Sequence, residues 1–93
     1  MTRQRRYAIQ IHPKAAAELA ALPKRVQRQI DRKIQSLALD PRPPGSVQLK
    51  DPQFGGLRRI RIGDYRVIYD VRDAVLIVLA VRIRDRKDVY RGR

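Results

Sequence analysis

The stretch from residue 57 to residue 71 restricts the fold more than any other. Leu57-Arg58-Arg59-Ile60-Arg61-Ile62 and Tyr65-Arg66-Val67-Ile68-Tyr69-Asp70-Val71 are two strand-forming runs separated only by Gly63-Asp64. Such a connector signals a two-residue β-hairpin, because glycine accepts the positive φ that tight hairpin turns require. An antiparallel sheet is therefore expected around these strands. Alternation sets Arg59 and Arg61 on one face and Ile60 and Ile62 on the other.

The flanking segments complete the pattern. Residues 7–11 alternate bulky with small or polar side chains and are expected to form a strand that ends at His12-Pro13. Pro13 suits a first helical turn, and Ala15, Ala16, Leu19 and Leu22 follow at helical spacing. Pro23 repeats the device before Val26, Ile30, Ile34 and Leu37, which share one helical stripe. Lys24, Arg25, Arg28 and Arg32 lie off that stripe, as a solvated face or as a surface for RNA. Asp40-Pro41-Arg42-Pro43-Pro44-Gly45 halts the second helix and makes a stiff connector, since a residue before proline is pushed out of helical geometry. Residues 47–50 suit a short strand, and Arg72-Asp73-Ala74 a tight turn. Residues 75–81 are apolar on both faces, as in a central strand covered on both sides. The expected class is α+β: an N-terminal strand, an α-hairpin, then a three- to four-stranded antiparallel sheet with the helices packed on one face. A chain of 93 residues is expected to make a single domain, 1–93.

Charge narrows the function. Against 9 Asp and Glu stand 22 Lys and Arg, a formal charge of +13, so the chain should seek polyanions, RNA foremost. Arginine supplies 17 of those cations, and its planar fork matches phosphate with two parallel hydrogen bonds. A GC-rich genome would raise the arginine content without functional meaning, but would not cluster it. The absence of Cys and the presence of one His argue against disulfides, a thiolate nucleophile and a zinc site. No metal or small-molecule cofactor is expected. No run approaches the length of a membrane span, no segment reads as a signal peptide, and no cationic face carries the large aromatics of a membrane-surface helix. A cytoplasmic protein without a membrane partner is expected.

The arginines concentrate where strands should pair. Arg59 and Arg61 share a face, Arg66 reaches toward it from the partner strand, and Arg82, Arg84 and Arg86 share a parity farther on. They are read either as a solvated sheet face or as a site whose mutual repulsion asks for an anion. Leu57 to Tyr69, together with Arg86-Lys87-Asp88-Val89-Tyr90, the opening strand, Leu19 and Leu22-Pro23, Asp40-Pro41 and Leu49-Lys50, resembles the RelE/ParE superfamily of bacterial toxins over nearly the whole chain.

The resemblance implies a toxin of a type II toxin–antitoxin system. In the RelE branch such toxins cut messenger RNA on the 70S ribosome without a metal, using the RNA's own 2′-hydroxyl as nucleophile. Carried over position by position, the basic residues of the strand before the hairpin are Arg59 and Arg61. The hairpin arginine is Arg66, the arginine at the exit of the last strand is Arg86, and the C-terminal tyrosine is Tyr90. Arg61, Arg66 and Arg86 would stabilise charge building on the phosphate. Arg59 would hold the RNA backbone, and Tyr90 would stack on a base or move a proton. Arg58, Arg82, Arg84 and Lys87 extend the expected RNA-binding surface.

Two departures from the family pattern matter. Related toxins often carry Lys where this chain has Arg59 and Arg61, and arginine cannot act as a base. Many relatives have His where this chain has Asp85, which neighbouring guanidiniums would keep ionised and suited to a salt bridge. The resemblance further implies a cognate antitoxin. Its ParE branch supplies a different reading, inhibition of DNA gyrase without RNA cleavage, and a non-catalytic nucleic-acid-binding module is the third.

Overall fold

The computed structural model describes residues 6–50 and 52–85. Strand β1 (Ala8–Ile11) leads to helices α1 (Pro13–Ala20) and α2 (Lys24–Ser36). Strands β2 (Val47–Gln48), β3 (Arg58–Ile62), β4 (Tyr65–Arg72) and β5 (Ile77–Asp85) follow, with a single 3₁₀ turn, Asp73–Val75, before β5. They form one five-stranded sheet in the order β1-β5-β4-β3-β2.

Local chemistry explains most boundaries. His12 is the N-cap of α1, where its Nδ1 accepts the Lys14 N–H at 3.1 Å and Pro13 takes the position that needs no donor. Pro23 caps α2 rather than occupying its first turn. The helix stops at Ser36, short of the expected Asp40-Pro41, because the Leu37, Ala38 and Leu39 N–H groups each bond three residues back and wind the exit tighter. Gly63, at φ 57, opens the two-residue turn between Ile62 and Tyr65, the place where a II′ hairpin demands glycine.

The α+β class, the helix pair and the helix-covered face are as expected. The sheet is mixed rather than wholly antiparallel, however, because β1 runs parallel to β5, with Ala8 beside Ile77 and Ile11 beside Ala80. It has five strands because Val47–Gln48 pairs with Arg58 and Arg59. β5 begins at Ile77 and not at residue 75: Leu76 adopts a left-handed φ of 54, which extended backbone does not tolerate.

The core lies between the helices and one face of the sheet. Ala15, Ile30, Ile34 and Leu37 meet Ile60, Ile62, Val67, Tyr69, Val78, Ala80 and Ile83, with α1 lying on β5 and α2 on β3. Tyr69 is fully buried and donates its hydroxyl to the Pro41 carbonyl at 2.8 Å, a contact that a buried phenol requires. Arg42 adds a bidentate ion pair to Asp73, which also accepts the Tyr7 hydroxyl at 2.6 Å. These contacts tie the proline-rich connector to the start of the sheet. No helix among the described residues is long and apolar enough to cross a membrane.

Candidate functional site

Pairing register builds the site. Arg61 stands directly opposite Arg66, and Arg66 directly opposite Arg84, so three guanidiniums occupy one row across β3, β4 and β5. The next row on that face holds Arg59, Ile68 and Arg82. Between them lies a row of opposite character, Ile60, Val67 and Ile83, all buried against the helices.

A register shift makes this arrangement reachable. Tyr69 faces Ala80 while Ile68 faces Arg82, which leaves Val81 without a partner across the β4–β5 pair. Upstream, Val78 and Ala80 point to the core; downstream, Ile83 does. Strict alternation would have driven Arg82 and Arg84 into the helices, and one extra residue turns them outward.

Like charge shapes the electrostatics around Arg59, beside the row. Burial, and next the charges of Arg61 and Arg66, hold the Arg59 guanidinium below its ordinary value. It stays a cation, and the lesser part of that depression comes from like charge that an anion would relieve. Asp70 is bonded to Arg72 at 2.8 Å, and Asp73 to Arg42 and Tyr7. Exposed Arg61 and half-buried Arg66 also line a small depression with Gly63, Asp64 and Tyr65 at the hairpin tip.

The remaining sequence-predicted positions divide. Arg82 forks onto Glu18 of α1, with Nη2 donating at 2.7 Å and Nε at 3.0 Å, and the Ile83 N–H bonds the same carboxylate at 2.8 Å. Burial pushes the Glu18 carboxyl up, but these bonds and the charges of Arg82 and Arg84 outweigh it and leave it below the usual carboxylate range. Arg58 points to the helix side, opposite Tyr69 in register, and donates to the Ser46 hydroxyl at 2.8 Å. It does not join the arginine rows. Arg86, Lys87 and Tyr90 lie outside the described residues. Glu18 is the residue that sequence reasoning passed over; its signal was that it is the chain's only glutamate.

This fold has counterparts among known proteins. The family described as the ParE toxin of type II toxin–antitoxin systems, parDE, matches residues 9–90. The chain belongs to that family. Within the wider RelE/ParE superfamily, it is 30% identical over 87 residues to a putative RelE-like toxin protein of Escherichia coli, covering 91% of this chain and 90% of that protein. Its fold matches the RelBE toxin–antitoxin complex of Mycobacterium tuberculosis with a TM-score of 0.80 at 22% identity, over 95% of this chain and 100% of the other. The archaeal RelE–RelB complex of Pyrococcus horikoshii gives 0.75 at 29% identity, over 86% and 94%. The protein is thus a toxin of a type II toxin–antitoxin system.

Proposed function

We propose that this toxin is a ribosome-dependent endoribonuclease that cuts messenger RNA without a metal and so arrests translation. The observation that carries the reading is the row Arg61, Arg66, Arg84 with Arg59 beside it. Attack of a 2′-oxygen on the adjacent phosphorus closes a 2′,3′-cyclic phosphate and expels the 5′-oxygen, which leaves as a hydroxyl once protonated. Negative charge grows on the nonbridging oxygens and on the leaving oxygen, and fixed guanidiniums stabilise both. Arg61 and Arg66 hold the scissile phosphate, with Arg86 completing the set. Arg59 orients the backbone, and Arg84 extends the row toward the flanking nucleotide. Tyr90 stacks on a base or moves a proton.

No guanidinium can take the proton of the 2′-hydroxyl, so the rate rests on positioning and charge, with the ribosome supplying substrate geometry and the remaining groups. A cognate antitoxin whose acidic segment covers the arginine face would silence the site, and a charge of +13 makes that association fast.

The decisive assay adds purified toxin to translating ribosomes and maps transcript ends. Cleavage within codons is expected, and Arg66→Ala should abolish it while leaving the fold intact by circular dichroism. The ParE family match supports a second reading, gyrase inhibition. Loss of supercoiling activity with intact transcripts would establish it and remove the nuclease.

A further inference from the structure

A cleft of about 390 Å³ lies between α2 and the tip of the β3–β4 hairpin, lined by Gln29, Arg32, Lys33 and Ser36 from the helix and by Arg61 from the strand. The helix residues recur at helical spacing and so present one face. Because β2 pairs only with Arg58 and Arg59, the edge of β3 beside Arg61 has no strand neighbour on that side among the described residues, and the cleft opens there. Among the described residues no acidic side chain lines it.

Arg61 belongs to two surfaces. It lines this cleft and also the depression it shares with Arg66 at the hairpin tip. We infer that the cleft is a second phosphate subsite for single-stranded RNA. A strand crossing the arginine row passes Arg61 over the free edge of β3 and seats a flanking phosphate between Arg32 and Lys33. The inference rests on the RNA reading given above and extends it from one phosphate to a path.

The lining favours nucleic acid over an acidic peptide. Peptide docking in grooves relies on apolar anchors, and among the described residues the one apolar side chain here, Ile62, is only 8% exposed. A phosphate needs cations and a ribose needs hydrogen-bonding groups, which the Gln29 amide and the Ser36 hydroxyl supply. The Ser36 hydroxyl donates to the Lys33 carbonyl at 2.6 Å and so keeps its lone pairs for a 2′-hydroxyl. The last carbonyls of α2 oppose an anion, and Lys33, in that last turn, offsets them.

The test is binding of fluorescent oligouridylates to the full chain, without ribosomes, over a range of salt concentrations. Arg32→Gln combined with Lys33→Gln removes both helix cations at positions that tolerate glutamine. For a long oligomer, the slope of log affinity against log salt should become shallower by about 1.4, two contacts at ~0.7 each. A dinucleotide should lose less affinity than the long oligomer. Arg66→Ala should weaken both lengths. If the double variant leaves the long oligomer's affinity and slope unchanged while Arg66→Ala weakens binding, the subsite is refuted and the arginine-row reading survives. If Arg66→Ala changes neither, that reading falls first. A loss confined to a polyglutamate peptide, with RNA binding unchanged, would make the cleft a protein interface and overturn the inference.

Discussion

Two rows of side chains one residue apart on the same three strands obey opposite rules. Ile60, Val67 and Ile83 gain by being shut away from water, each repaid for burial by its neighbours. Arg61, Arg66 and Arg84 lose by being brought together, because like charges opposed across strands repel. The first row makes the sheet stable, and the second draws on that stability to hold guanidiniums where free side chains would spread apart. That contrast is what the proposed reading of the arginine row as a binding site rests on.

Substitutions can break either side of that contrast. Ile83→Ala, in the buried row, should cost about 2–5 kcal/mol in urea denaturation, through lost burial and the cavity left behind. Glu18→Gln should cost about 1.5–3 kcal/mol, since it weakens a fork that holds both Arg82 and the free edge of β5. Its pH dependence follows from the lowered Glu18 value. The wild type should keep this contribution above the ordinary carboxyl value of 4.5 and lose it as pH falls through the lower folded value, whereas the glutamine variant should lack that acid limb. Gly63→Ala should cost about 1–2 kcal/mol purely through its positive φ, because open space surrounds the position. Arg66→Ala should go the other way and stabilise the fold by about 0.2–1 kcal/mol while removing toxicity. A variant that was both less stable and fully toxic would erase the distinction between the rows.

What was legible in the sequence was local. The hairpin, the helix start at Pro13 and the Ile30, Ile34, Leu37 stripe depend on neighbours within a turn or two, and local sequence reports such neighbours directly. Arg59, Arg61 and Arg66 could be grouped for the same reason. Other features depended on distant partners. Nothing local marks β1 as parallel to β5, or announces the unpaired Val81 that turns Arg82 and Arg84 outward. Arg58 shares the parity of Ile60, so alternation placed it on the helix side while its charge argued for the other. Glu18 became meaningful only when α1 was seen lying on β5, far along the chain. The cleft beside α2 joins a helix and a hairpin tip that no periodicity connects.

The parallel pairing of β1 with β5 also sets a clock. Strand β1 finds its neighbour only when Ile77 to Ala80, far along the chain, have been made, and contacts so far apart in sequence form slowly. A nascent toxin therefore cannot close its sheet before β5 has been made. Any partner that reads the finished sheet therefore meets a surface that exists only once β5 has joined β1.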